Sequence, residues 1–191
     1  MIFEMTAITK AIAIRLYTLF YRSRFKKWGK GAHIVPRALK LYGLEYISVG
    51  EKTHIDKGIQ LTAWKSYGNT SFYPNIKIGN YCTIRPNTHI SAINSIIIGD
   101  HLLTGTNVFI TDNSHGKSTR ESLSLPPNQR PLYSKGPVVI GNNVWLGNNV
   151  CIMPGVTIGD NVVIGANSVV THNIPSYSIA AGVPAKIIKQ L

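Results

Sequence analysis

Cysteine is scarce in this chain. Cys82 and Cys151 are the only two in 191 residues, and they stand in no metal-like spacing. That excludes a disulfide-built scaffold and a zinc module, and it makes a reducing, cytoplasmic setting the expectation. Acidic residues are also thin, with 8 Asp and Glu against 20 Lys and Arg and a formal charge of +12. Such an imbalance predicts an anionic partner: nucleic acid, anionic lipid or a phosphorylated small molecule. Long apolar runs are missing too. The stretch Ala7–Tyr21 is interrupted by Lys10 and Arg15, so it lacks the roughly 18 uninterrupted apolar residues of a spanning helix. No small-residue cleavage site follows it, which argues against a signal peptide. What is present is a 44% hydrophobic content with 17 Gly and 10 Pro, the mark of a folded domain with frequent turns.

The first thirty residues stand apart. Lys10, Arg15, Arg22, Arg24, Lys26, Lys27 and Lys30 place seven of the 20 basic residues there. Ile8, Ile12, Leu16, Leu19 and Phe20 recur at helical spacing. Residues 1–30 therefore predict a basic amphipathic helix. Two roles fit it: contact with an anionic membrane surface, or a cap on one end of the fold with a solvated basic face.

From residue 140 the sequence repeats every six residues. Ile140, Leu146, Ile152, Ile158, Ile164 and Val170 share one register, and Gly141, Gly147, Gly159 and Gly165 follow four of them. Val138, Val144, Val150, Val156, Val162 and Ser168 sit two residues earlier. The pattern is V-x-[IL]-G-x-x. Earlier segments keep the period with interruptions: Val49, Ile55 and Leu61, then Ile78, Ile84, Ile90 and Ile96, then, after a slip of two, Ile98, Thr104 and Ile110. Residues i−2 and i of a short strand point to one face and i−1 to the other. Gly and Asn supply the freedom a tight corner needs. A strand and a corner every six residues make a parallel coil, and coils must stack to bury their inner faces. A helix is excluded, because a period of six keeps no single helical face.

This tract resembles the hexapeptide-repeat acyltransferases, and the resemblance covers roughly residues 45–190. It is closest to their lipopolysaccharide and sugar O-acetyltransferase branch, which includes galactoside and maltose acetyltransferases. The resemblance implies a mainly β fold, a left-handed parallel β-helix, with a short N-terminal helix and a protruding loop. The left hand comes from the resemblance alone, since parallel crossovers in general favour the right. The expected division is 1–30 for the basic helix and 31–190 for the acetyltransferase domain. The resemblance also implies a homotrimer with acetyl-coenzyme A as acyl donor, no metal, and a saccharide acceptor in surface-polysaccharide biosynthesis. O-acetylation of a sugar hydroxyl is the leading reading, and N-acetylation of a nucleotide-linked amino sugar is the alternative.

Between Ile110 and Val138 the period fails, in the polar, proline-rich loop 111–137. Long loops in a regular solenoid are functional or disordered. This one opens on Asp112, Asn113, Ser114 and His115, where family members carry a histidine. Histidine, with an unperturbed pKa near 6.5, is suited to take the proton of a sugar hydroxyl attacking the thioester directly, so His115 is the expected catalytic base. Some relatives carry an earlier histidine in this motif; here that position is Asn113. Asp112 is a candidate to orient the imidazole, as is a backbone carbonyl. A backbone N–H of a neighbouring coil is the expected oxyanion donor.

Among the other histidines, His89 falls at an outward i−1 position, and the Ile98-Gly99-Asp100 anchor aligns Asn87 with an acceptor-binding asparagine of galactoside acetyltransferases. Asn87 and His89 are thus candidate acceptor contacts, with an ordinary corner asparagine and an exposed histidine as the plain alternatives. Trp145 is also outward, and an exposed Trp on a regular solenoid suggests a partner. The resemblance places it in the donor groove between adjacent β-helices, with Gly147 and Asn148 beside the pantetheine arm. Ala166 and Thr171 match cofactor-contacting positions. Ala180-Ala181-Gly182-Val183-Pro184-Ala185-Lys186 matches the family's coenzyme A end-motif, with Lys186 and Lys189 as phosphate partners; a merely solvated Lys186 is the alternative.

Three rivals are weaker. A nucleic-acid binder would explain the charge, but outside the N-terminus the basic residues are scattered without stacking aromatics. A γ-type carbonic anhydrase on the same scaffold needs three converging histidines, and no second histidine lies four or five residues from His115. A purely structural solenoid would need neither His115 nor the Ala-Gly-Val-Pro-Ala-Lys end.

Overall fold

Short strands separated by corners wind into a three-sided prism, a left-handed parallel β-helix. The computed structural model describes residues 7–191, so the first six residues of the expected 1–30 segment lie outside the described residues. The first sheet has six strands, from Lys27–Trp28 through Ile47–Val49, Asn75–Ile78, Ser95–Ile98 and Val138–Ile140 to Thr157–Ile158. The second has eight, running from His33–Ile34 past Trp145–Leu146 and Val163–Ile164 to Ser178–Gly182 and Ala185–Gln190. The third has six: Lys40–Tyr42, Gln60–Ala63, His89–Ala92, Phe109–Thr111, Cys151–Ile152 and Val169–Val170. Neighbouring strands within these sheets are parallel, except that Ala185–Gln190 turns back antiparallel on Ser178–Gly182.

The period-six aliphatics form the core. Ile55, Ile84, Leu146 and Ile164 line up inside the second sheet, and Leu61, Ile90, Ile110, Ile152 and Val170 inside the third, each no more than 1% exposed. Val144, Val150, Val156 and Val162 are equally buried, so both inward positions of each hexapeptide behave as expected. Burying one such side chain is worth about 1.5–3 kcal/mol, so this stack outweighs any single hydrogen bond in the coil. Two of the polar residues at core positions show how such groups are satisfied locally. Thr104 Oγ1 accepts the Arg85 N–H at 2.8 Å, and Ser168 Oγ donates to the Gly165 carbonyl at 2.7 Å.

The corners carry a second, polar stack. Asn80 Oδ1 accepts the Glu51 N–H, Asp100 Oδ1 that of Asn80, Asn142 Oδ1 that of Asp100, and Asp160 Oδ1 that of Asn142, at 2.6–2.8 Å. Each side chain ties one coil to the next, satisfying a backbone donor that a tight corner would leave without a partner. Asn87, Asn107, Asn143, Asn149, Asn161 and Asn167 adopt φ of 54–60°, the left-handed conformation asparagine tolerates best among side-chain-bearing residues.

The N-terminal helix α1 (Ala7–Arg22) docks on the first coil through a face other than its apolar stripe. Ile14, Tyr17, Thr18 and Tyr21 turn toward the first coil. Thr18 Oγ1 accepts the Ile34 N–H at 3.1 Å, capping the open edge of the second sheet. The stripe picked out by helical spacing points the other way: Ile8, Ile12, Leu16, Leu19 and Phe20 are 44–73% exposed. The solenoid also starts earlier than residue 31, because Lys27–Trp28 already pairs with Ser48–Val49, with Phe25 buried beneath Trp28.

Candidate active site

Insertions leave the prism at one corner, where the third sheet passes to the first. The first is Trp64–Pro74, which contains an antiparallel hairpin pairing Ser66–Tyr67 with Thr70–Ser71. The second is a two-residue step at Ile93–Asn94, the slip in the sequence period. The third is the loop after Asp112, which is an ordered ribbon: Ser114–His115 pairs antiparallel with Leu132–Tyr133, and a short helix α2 (Arg120–Leu123) is capped by Thr119. Tyr67 donates its phenolic proton to the Asn128 carbonyl at 3.0 Å and joins the first insertion to the third.

The first and third of these insertions wall a pocket of about 270 Å³ whose floor is the outer face of the third sheet. Alternation puts Leu41, Leu61, Ile90 and Ile110 inside the prism and Lys40, Gln60, His89 and Phe109 outside. The next outward row runs Thr62, Ser91, Thr111. Trp64 and Tyr67 form one wall, and Asn113, Ser114, His115 and Leu132 the other. His115 is exposed at this wall, with the Tyr67 ring edge-on at 5.3 Å. Among the described residues, no hydrogen-bond partner engages its ring.

Of the two expected acceptor residues, His89 lines the pocket and Asn87 does not. His89 is half-buried against Phe109, with ring centroids 5.2 Å apart. Burial first, and the Lys40 ammonium second, lower its pKa and favour the neutral ring. Asn87 sits in the left-handed corner ladder, donating to Asn107 Oδ1 at 3.1 Å. Its side-chain oxygen packs where a Cβ on Gly58 would fall, so that corner requires glycine.

Asp112 is fully buried and is committed elsewhere than His115. Its Oδ1 accepts the Ile93 N–H and its Oδ2 the Asn94 N–H, both at 2.9 Å, and Asn113 donates to Oδ1 at 3.1 Å. It thus pins the two-residue step of the coil below, and through Asn113 it fixes the start of the ribbon. Burial pushes its pKa above the usual carboxylate value, while the hydrogen bonds it accepts pull the other way.

A second trough of about 250 Å³ lies on the second sheet, lined by Trp145, Gly147, Asn148, Val163, Gly165 and Ala166. It gathers four of the expected donor contacts. Trp145 is 52% exposed and stands between Leu103 and Val163. A Cβ on Gly147 would come within 2.6 Å of the Ala166 backbone, so the floor admits only the smallest residue there. Lys186 and Lys189 stand on the terminal strand of the same sheet, opposite Ala181 and Ile179. Thr171 lies past the third sheet, with its hydroxyl 2.8 Å from His172 Nδ1. The structure therefore separates the two halves of the expected site: His115 faces off the third sheet and Trp145 off the second.

Sequence reading missed Lys40, Thr62, Trp64 and Tyr67. The signal was available in part, because the period also breaks between Leu61 and Ile78, as it does around His115. Among the described residues, no group of three or more His, Cys, Asp and Glu is placed to hold a metal ion. No helix among them is long and apolar enough to cross a membrane.

Comparison with known proteins agrees with this architecture. A family model described as bacterial transferase hexapeptide (six repeats) matches residues 137–172. The chain is 43% identical over 148 residues to the "Putative lipopolysaccharide biosynthesis O-acetyl transferase WbbJ" of Escherichia coli (strain K12), covering 75% of this chain and 71% of that protein. It is 36% identical over 151 residues to the galactoside O-acetyltransferase of the same organism, covering 76% of this chain and 64% of that one. The N-acyltransferase AntD of Bacillus cereus, solved as a mutant with dTDP and coenzyme A, superposes with a TM-score of 0.72 at 22% identity, over 90% of this chain and 87% of that one, a likeness of fold. With its period-six core and its extent of identity to WbbJ, the chain belongs to the hexapeptide-repeat acetyltransferase family.

Proposed function

We propose that this protein transfers the acetyl group of acetyl-CoA to a sugar hydroxyl during lipopolysaccharide or related surface-polysaccharide synthesis, with His115 as general base. The observation that carries the proposal is the placement of His115: an unengaged imidazole at the mouth of a pocket lined by polar and aromatic side chains, held by a ribbon that Asp112 anchors at its start and Tyr67 at Asn128. The acceptor hydroxyl gives its proton to the imidazole as its oxygen bonds to the thioester carbonyl carbon. The C–S bond then breaks, and the imidazolium returns the proton to the departing thiolate. A positioned base contributes about 10²–10⁴-fold to such a step. A backbone N–H of the neighbouring coil supplies the oxyanion donor. Asp112 acts as a positioning residue for the ribbon.

The trough at Trp145 suits the pantetheine arm of the donor, because Gly147, Gly165 and Ala166 give it a low floor and Trp145 a flank. Lys186 and Lys189 extend that sheet with positive charge for the phosphates. Pocket and trough lie on different faces of one prism, which supports a homotrimer that brings the third sheet of one copy against the second sheet of the next. Functionally, residues 1–30 form a basic attachment segment and residues 31–190 the catalytic β-helix, with 111–137 as its active-site loop.

One experiment tests base and shared groove together. His115→Ala and Trp145→Ala homo-oligomers should each lose at least about 10²-fold in kcat/KM, and mixing and reassembling them should restore part of the turnover. Near wild-type turnover of His115→Ala would remove the base, and a mixture no better than its parts would remove the shared groove. A base-stable product would mark an amide and favour the N-acetyltransferase reading.

The N-terminal helix is the proposed membrane contact. From Ala7 to Leu44 there are nine Lys and Arg and no Asp or Glu, and the exposed stripe Ile8–Phe20 flanks a basic groove lined by Arg15, Arg22 and Lys30. Each basic residue near an anionic leaflet is worth about 1 kcal/mol. The protein should float with phosphatidylglycerol vesicles at low salt and stay behind with phosphatidylcholine; equal flotation with both, or with neither, refutes the contact.

A further inference from the structure

We infer that the third-sheet pocket is built for an anionic sugar, one carrying a carboxylate or a phosphate, whose charge pairs with Lys40 while a ring hydroxyl reaches Thr62 and the reacting hydroxyl lies at His115. The inference rests on the pocket being the acceptor side of the acetyltransferase reading, and it adds what that reading leaves open, the charge of the acceptor.

Lys40 is placed by its neighbours. It stands on the outward row of the third sheet, opposite Gln60. Its Nζ lies 4.5 Å over the Trp64 ring, and Trp64 in turn packs on Tyr42 with centroids 4.7 Å apart. This holds the ammonium at the pocket wall instead of leaving it to wander in solvent. Among the described residues, no carboxylate pairs with it. Asp112 spends both oxygens on backbone N–H groups, and the ion pairs among the described residues involve Asp56. The other titratable side chains lining the pocket are His89, His115 and Tyr67, none of them a carboxylate. The pocket is therefore a preformed site of positive potential lined with hydrogen-bonding groups.

Thr62 is the second, independent observation. Gln60 and Thr62 point outward while Leu61 and Ala63 point into the core, so the Thr62 side chain lies on the pocket side of the sheet. It is 1% exposed, and its Oγ1 is the buried side-chain polar atom without a hydrogen-bond partner among the described residues. Buried hydroxyls are nearly always paired, and an exception calls for an explanation. A hydroxyl held ready for a ligand is that explanation, and a sugar hydroxyl, both donor and acceptor, is a matching group.

The test is equilibrium binding followed by NMR titration without acetyl-CoA, using methyl β-D-glucuronide, glucose 6-phosphate and methyl β-D-glucoside. Wild type should bind at least one anionic probe about tenfold or more tighter than the glucoside, as expected for a charge-assisted contact, and the better anion identifies carboxylate or phosphate. Lys40→Met should erase the preference for the anionic probe over the glucoside, and Lys40→Arg should keep it. Thr62→Val should weaken all three probes yet leave Tm unchanged or raised, because it removes a hydroxyl the free protein does not satisfy. Equal affinity for the three probes, no binding of any, or a preference surviving in Lys40→Met overturns the inference. A fall in Tm of Thr62→Val assigns that hydroxyl to the fold and overturns its role in binding. Protein that prefers anions but never transfers acetyl refutes only the earlier reading; protein that acetylates neutral sugars without charge preference refutes only this one.

Discussion

From Asn142 to Asp160 the corner ladder advances one coil in 18 residues, three uninterrupted hexapeptides. From Glu51 to Asn80, Asn80 to Asp100 and Asp100 to Asn142, the same step takes 29, 20 and 42 residues. The ladder geometry barely differs between the two regions, with hydrogen bonds of 2.6–2.8 Å throughout. All the extra length is expelled at the corner after the third sheet. The scaffold thus tolerates additions wherever a coil can close behind them, since loop closure grows only slowly more costly with length. Stacking the additions on one edge lets the first and third inserts wall one pocket.

The comparison can be broken by cutting the long insert away. Replacing residues 113–136 by a two-residue step, like Ile93–Asn94, should abolish acetyl transfer, a loss of at least about 10³-fold once base and pocket wall go together, while cooperative unfolding of the coil persists. If the shortened protein no longer folds, the ribbon belongs to the scaffold and the division between regions fails. The regular region should respond in the opposite sense. Ile152→Ala, in the fully buried stack, should cost about 2–5 kcal/mol in urea unfolding and leave kcat per folded molecule within about twofold. A cost below about 1 kcal/mol would mean that the aliphatic stack is not what holds the coils together.

What could be read in the sequence follows the same boundary. The inward positions are periodic, so their burial and the parallel stacking were legible from Val138 to Val170 and, with slips, back to Val49. His115 was legible because a resemblance marked it. The role of Asp112 was not, because its partners Ile93 and Asn94 lie a coil away and are reached only through the stack. Trp64 and Tyr67 sit in a stretch with no period, and Lys40 is one basic residue among many until Trp64 fixes its place. Helix α1 shows the limit of pattern alone. Its apolar spacing identified a true stripe, but the docking face uses Thr18 and two tyrosines, which hydrophobic counting passes over.

A stack of parallel coils has no natural stopping point, because each end offers a row of unpaired backbone groups that an identical end could extend into a filament. At one end of this prism Thr18 of helix α1 occupies the Ile34 N–H. At the other, Ala185–Gln190 reverses direction and lies antiparallel on Ser178–Gly182, so that a further parallel coil meets a strand of the wrong sense. The two edges of the second sheet are blocked by different means, and together they work against end-to-end extension of a repeat that could in principle polymerise.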